Sequence, residues 1–536
     1  MHKGGHANHH PDPRNTSFRL SYPFLVFLPL LISFTFSCSL RQADSPRPFT
    51  IGLEGSPINL DPRLSTDAYS ARVIQIVYNG LLKMTPESTL IGDLAERWEM
   101  PDDTAYIFYL RKGVTFHDGQ NLTAEDVKFT FTSLLDPDFP SPLKESYAHI
   151  DRIEVLSPYI IKFQLKETFA PFLVNMTLGI IPRHVAEKAN HNLSFHPVGT
   201  GPFKLIEWKS DDSLTFQAFP EYFEGPPKLS TVVYRIIPDE AIRLLELKKG
   251  NIDLLQNALS PDAIQSLRDH PDIKLIQKSG TNYTYVGFNL EDPILQNRMV
   301  REAIALAINR EAIIEHLLGN LAEPATGVLA PSNWAYEPDV AIYDYNPQKA
   351  TWLLDEAGFP DPDGQGPRQR LSLLYKTSQN ELSKRVAEVI QQNLNEVGIH
   401  VEILSYEWGT FFSDIKSGNF QLYSLQWVGI TEPDIYYYLF HSSSIPPSGA
   451  NRGRYMNPKL DNLLEKGRKI LDPEERRKIY SQVQKIIAFD LPYVNLWYQT
   501  NMVTTNKRVQ GFVPFPAGDF TSLKKVYLAP PVHTKP

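Results

Sequence analysis

The chain is poor in the groups that usually announce chemistry. One cysteine, Cys38, stands among 536 residues, so no internal disulfide can form. The formal net charge is −8 and no basic stripe runs along the chain, which excludes a phosphate-tracking surface and makes nucleic acid an unexpected partner. No G-x-S-x-G elbow, H-E-x-x-H pair or Walker loop is present. With 42% hydrophobic and 21% charged residues, the composition is neither that of a disordered chain nor of a multi-span membrane protein. The length exceeds what one hydrophobic core organises, so two or three lobes are expected. What is abundant is proline (43) and tyrosine (25), a combination of fixed loops and amphipathic rings that suits a binding cleft.

The remaining candidates for chemistry are weak. His117 and Asp118 are adjacent in "FHDG", where Asp-Gly serves turn geometry. "DPDGQG" (361–366) lacks the closing glutamate and regular ligand spacing of a calcium loop, so a solvated turn is expected. His184, His191 and His196 are not at helix-face metal spacing. No catalytic residue, metal or cofactor is expected.

The first 38 residues have a different logic. Lys3, Arg14 and Arg19 make a positive start, "LSYPFLVFLPLLISFTF" is apolar, and small Ser37 precedes Cys38. That is the layout of an export signal. An uncleaved membrane anchor is the alternative, but Pro23 and Pro29 interrupt a run that is borderline for a span. The stretch resembles a bacterial lipoprotein signal, in which the cysteine becomes the first residue and carries a diacylglycerol, although Thr35 stands where leucine is usual. The resemblance implies that Cys38 is a lipid tether, and two or more acyl chains hold a protein firmly at a membrane. The His-rich opening (His2, His6, His9, His10) lies in the segment expected to be removed.

From about residue 49 strand and helix patterns alternate. "PFTIGLEG" is a strand running into a loop, and "STVVYRIIPDEAIRLLELKKGNIDLLQ" reads strand, helix, strand, with Asp239 starting the helix and Gly250 ending it. Thr123 is an N-cap with Asp126 as its capping-box partner. "RMVREAIALAINREAIIEHLLG" carries Val300, Ile304, Ala307, Ile308, Ile314 and Leu318 at helical spacing and is expected as one packed helix. "RLSLLY", "ELSKRVAEVIQQNLNEVG", "IHVEIL", "GTFFSDIKSG" and "FQLYSLQWVG" form a β-α-β-α-β run, for which a parallel, doubly wound sheet is expected. Ligands of such sheets gather beyond the carboxyl ends of the strands. That rule selects two loops, "EGSPINLDP" after the first strand and "WVGITEPDIYYYLFH" after the last of this run.

A family now comes into view. "LAERWEMPDDTAYIFYLRKGVTFHDGQNLTAEDVKFTFTSLLDP", "HPVGTGPFKLIEW", "VGFNLEDPILQNRMVREAIALAINREAII" and "YNPQKATWLLDEAGFP" resemble, in order, the blocks of the extracellular solute-binding proteins of peptide and nickel ABC importers. The resemblance covers nearly everything from residue 49 onward. It implies an α/β, three-lobed periplasmic-binding-protein-like fold of type II, with doubly wound sheets and hinged lobes. The divisions expected are a signal peptide at 1–37 and a lipid-attached linker at 38–48. Lobe I then takes 49–82, 198–287 and 497–536, lobe II takes 83–197, and lobe III takes 288–496. It also implies a monomer that captures peptides or peptide-like solutes, with no enzymatic activity. Delivery is to membrane permease subunits driven by a cytoplasmic ATPase, from the periplasm or the outer face of the cell membrane. A tether raises the effective concentration at that permease.

In peptide-binding relatives an extended peptide pairs its main chain with a strand that ends in Trp-x-Gly or Trp-x-Ala. The matching residues here are Trp427, Val428 and Gly429, with Glu54 and Gly55 opposite. Those relatives usually carry an aspartate three residues after the tryptophan, where it pairs with the peptide's terminal ammonium. This chain has Ile430 there. Either Glu432 or Asp434 takes that role, or the solute has no free amine at that point. The Glu432-Pro433-Asp434 segment equally reads as a helix start. Tyr436, Tyr437 and Tyr438 are consecutive, so at most two of them face one cleft. The same fold with another solute (a metal chelate, haem, an oligosaccharide) is the nearest alternative, and an exported hydrolase or chaperone the more distant one.

Overall fold

The structure is a computed structural model and describes residues 47–188, 193–364, 366 and 368–530. Cys38, the segment before it and His191 lie outside the described residues. Its centre is a mixed sheet crossed by two long antiparallel strands, Ile273–Phe288 and Tyr493–Asn506. Their register shifts between Ser279 and Asn282, at Gly280, where a β-carbon would come within 2.3 Å of the Gln499 carbonyl oxygen. Only glycine allows the two backbones to approach that closely.

On one side of this pair, Leu254–Gln256 joins Tyr493–Asn506, followed by Phe49–Leu53, Thr231–Ile236, Ser213–Ala218 and Phe203–Lys209. Phe49–Leu53 is buried at every residue and pairs in parallel with Thr231–Ile236. A continuous apolar run is what a strand covered on both faces requires. The connecting helix Glu240–Lys248 is capped by the Asp239 carboxylate, which accepts from the Ile242 N–H at 2.8 Å. On the other side, Leu422–Trp427 pairs with residues 283–288, followed by Leu371–Ser378 and Ile399–Tyr406. These last three strands run parallel, joined by helices Glu381–Glu396 and Trp408–Ser417, as their patterning predicts. Val386, Ile390 and Leu394 form the buried stripe of the longer helix.

A separate four-stranded antiparallel sheet is built from Ala95–Asp102, Ala105–Leu110, Ile160–Leu165 and Ile150–Ser157. Helix Ala124–Leu135 packs on it, and Asp126 accepts from the Thr123 N–H at 2.9 Å, the expected cap. Each sheet region has its own apolar cluster.

One expected element is broken. Residues 298–319 do not form a single helix. Arg298–Ala307 ends at Ile308, whose backbone is extended, and a new helical turn starts from Asn309. The Asn309 side chain accepts from the Ala312 N–H at 3.0 Å, and Arg310 turns away to donate to the carbonyls of Ala325 and Asn495. The apolar periodicity continues through the break because both pieces pack on the same core, whereas the cap and the half-buried arginine set the backbone.

Candidate functional site

The carboxyl ends of the strands on both sides of the central pair converge on a cleft of about 870 Å³. Glu54 follows the strand Phe49–Leu53, Asn257 follows Leu254–Gln256, and on the other side Ser378 ends Leu371–Ser378 while Trp408 and Val428 come just after Ile399–Tyr406 and Leu422–Trp427. The two loops selected from sheet geometry therefore both contribute to it. Val428 is exposed, as is Trp408.

Main-chain pairing leaves a vacancy at one wall. Leu371–Ser378 meets Leu422–Trp427 only at Tyr375↔Leu422 and Lys376↔Tyr423, so the strands splay toward their carboxyl ends. On its other side Leu422–Trp427 is fully paired with 283–288. Residues 424–427 thus keep one edge with no strand neighbour among the described residues, and Ser424, Leu425 and Gln426 line the cleft. A free edge of this kind accepts an extended main chain.

Opposite lies Glu54-Gly55. A β-carbon on Gly55 would sit 2.8 Å from the Tyr69 ring, so glycine is what lets the ring cover the loop. Tyr69 donates to Glu54 at 3.3 Å. Burial, then the Glu54 charge, pushes its hydroxyl up to about 12, so it stays a neutral donor.

Trp427 itself is held beneath this surface. The Arg452 guanidinium lies 4.8 Å from its ring centroid and Tyr438 meets it edge-on at 6.1 Å, while its indole N–H is buried without a partner. Gly429 adopts a left-handed backbone (φ +68) and donates its N–H to Asn282 at 2.9 Å. Of these expected residues Glu54 and Val428 line the cleft, whereas Gly55, Trp427 and Gly429 adjoin those two in the chain without lining it.

The acids further along the loop are placed elsewhere. Glu432 pairs with Arg476, and Asp434 accepts from Arg468 at 2.9 and 3.2 Å. Neither lines the cleft. Each already has a guanidinium partner, and Asp434 sits immediately before helix Ile435–Phe440, which fits the alternative of a helix start better than that of an ammonium ligand. Ile430 is buried in the apolar cluster with Tyr436 and Leu439. Of the three tyrosines, Tyr436 is buried, Tyr437 stacks on Arg468, and Tyr438 is exposed beside Trp427.

A second cavity of about 250 Å³ adjoins this loop, lined among others by Asn79, Lys83, Asp93, Thr431, Asp519 and Lys524. Lys83 bonds Asp93 at 3.0 Å and also pairs with Glu224, which Lys524 meets as well. Burial alone would raise Glu224, but the two ammonium groups outweigh it and hold its carboxyl at about 2. Tyr69, Trp408, Arg452 and Asp519 were not singled out in the sequence. The carboxyl-end rule extends to Trp408, directly after the strand Ile399–Tyr406, whereas Arg452 and Asp519 carry no local signal.

His117 is buried, with Nε2 bonded to the Gly201 carbonyl at 2.9 Å and Nδ1 facing the Gly199 N–H at 3.4 Å. Asp118 pairs with His184 at 2.6 Å at the surface of the turn. Among the described residues no three His, Cys, Asp or Glu side chains are arranged to hold a metal ion.

Comparison with known proteins agrees with this architecture. The profile of the bacterial extracellular solute-binding proteins, family 5 Middle, matches residues 89–447. The oligopeptide-binding protein AppA of Bacillus subtilis is 31% identical over 516 residues, 92% of this chain and 94% of that protein. The heme-binding protein A of Haemophilus influenzae is 30% identical, over 89% of this chain and 92% of that protein. The structure of the Bacillus subtilis AppA in complex with a nonapeptide superposes with a TM-score of 0.78 at 29% identity, covering 90% of this chain and 99% of that one. The fold is the α/β periplasmic-binding-protein fold, and the chain is a solute-binding subunit of an ABC importer. It belongs to the bacterial extracellular solute-binding proteins of family 5, which bind their solutes without transforming them.

Proposed function

We propose that the protein is a lipid-anchored subunit that captures peptides or peptide-like solutes and hands them to its permease. The observation that carries this reading is the unpaired edge of Ser424–Trp427, of which Ser424, Leu425 and Gln426 line the same cleft as Glu54. Main-chain pairing there would bind peptides with little regard to sequence, because every residue offers the same N–H and C=O groups. In this reading lobe II is 83–197, lobe III is 288–496, and lobe I is the remainder from 49 onward, with Gly280 at the crossing. Closure of lobes over a solute is a hinge motion biased by the solute's differential affinity. The anchor is Cys38.

A second reading, the same cleft with a haem, metal-chelate or other non-peptide solute, is favoured by Ile430 standing where peptide-binding relatives carry an aspartate. One experiment separates them. Isothermal titration with a mixture of alanine peptides of two to five residues should show binding that Trp427→Ala weakens at least about tenfold in a protein that still folds. No heat with any peptide favours the second reading.

A further inference from the structure

Counting charges around the smaller cavity leaves one over. Asp93, Glu224 and Asp519 are three carboxylates against the two ammonium groups of Lys83 and Lys524. Asp93 and Glu224 have those lysines as partners. Asp519 has none: among the described residues no lysine, arginine or histidine lies within ion-pair distance of it. Its Oδ1 accepts from the Thr521 N–H at 3.1 Å and the Thr521 hydroxyl also hydrogen-bonds the carboxylate, so the groups that hold it among the described residues are neutral. Burial raises its carboxyl above the usual range despite the Thr521 bonds, the signature of a charge without its counter-ion.

The position of this carboxylate matters as much as its isolation. A β-carbon on Gly429 would stand 3.6 Å from the Ala517 β-carbon, so the Trp427–Gly429 segment lies close to the loop that carries Asp519. Thr431, next to Ile430, lines the same cavity as Asp519. An acid is therefore supplied beside the end of the free strand edge, from a different part of the chain. Resting on the peptide reading above, we infer that Asp519 is the counter-charge for a primary ammonium of the solute. The apolar Ile430 then belongs to the core, and the solute amine is met from the neighbouring 517–519 loop. Partly buried carboxylates without a cation are costly, and an arriving ammonium removes that cost only in the bound state.

The probes are alanine peptides of two to five residues, each with a free amino terminus and with that terminus acetylated. Their affinities are measured by titration calorimetry for the full exported chain and for Asp519→Asn, which keeps the oxygen that accepts from Thr521. Wild type should prefer the free amine by about 100-fold, and Asp519→Asn should lose that preference while its melting temperature stays near that of wild type. A preference that persists in Asp519→Asn overturns the assignment. Wild type binding both forms equally overturns it too, and leaves the peptide reading standing. Wild type binding no peptide in either form sinks the peptide reading and this inference together.

Discussion

The Arg452 guanidinium lies between two rings, 4.8 Å from the centroid of Trp427 and 5.2 Å from that of Phe412, and donates to the Tyr285 hydroxyl at 3.1 Å. No carboxylate neutralises it among the described ion pairs, so a buried cation is held by π-faces and one phenol. Such a desolvated contact contributes roughly 2 kcal/mol. Arg452→Ala should therefore loosen the indole and lower solute affinity about tenfold, although Arg452 does not line the cleft. Titration of the variant with the alanine peptides checks this, and unchanged affinity would show that Trp427 is positioned without it.

Glu432 and Asp434 should act on stability and not on binding. Arg476→Leu leaves the Glu432 carboxylate buried without its partner and should cost about 3 kcal/mol of unfolding free energy. Glu432→Gln and Asp434→Asn should keep wild-type solute affinity. A loss of affinity in either would restore these acids to the site.

The break at Ile308 rests on a cap. Asn309→Ala removes the acceptor for the Ala312 N–H and should cost about 1 kcal/mol in denaturant unfolding. A variant as stable as wild type would mean that Arg310 alone sets the break.

Acid sensitivity should trace in part to His117. Burial, opposed only in part by the Gly201 bond, lowers its pKa from 6.5 to about 4. Between those values the unfolded chain takes up a proton that the folded chain refuses, so stability is lost as pH falls from 6.5 toward 4. A shift of that size amounts to about 3 kcal/mol when complete. Protonation would place a second N–H against that of Gly199. His117→Gln should flatten the dependence of unfolding free energy on pH in that window, and an unaltered slope would assign the acid loss to other groups.

The proposed tether gives a cellular test. Cys38→Ser should release the exported protein from the membrane fraction in unlipidated form. Retention there at the wild-type level would mean that another segment anchors the chain.

Much of this was legible because local physics dominated. Strand Phe49–Leu53 and helix Glu381–Glu396 are each specified by their own periodicity and caps. The carboxyl-end rule selected the two loops that bring Glu54 and Val428 to the cleft, without any side-chain chemistry. What stayed hidden depends on partners far apart in sequence. Glu432 and Asp434 look like free acids until Arg476 and Arg468 fold against them. The long antiparallel pair 273–288 and 493–506 has no hairpin signal, since two hundred residues of fold intervene. The role proposed for Asp519 depends on the 517–519 loop folding close to Gly429, about ninety residues away in the chain.

The central claim concerns what occupies the edge at Ser424–Trp427, and hydrogen exchange on its amides reads that directly. With saturating alanine peptides those main-chain amides of residues 424–428 that point to the free edge, alternate ones along the strand, should exchange much more slowly than in the solute-free protein. Equal exchange with and without a peptide that calorimetry shows to be bound would place the solute elsewhere and contradict the account.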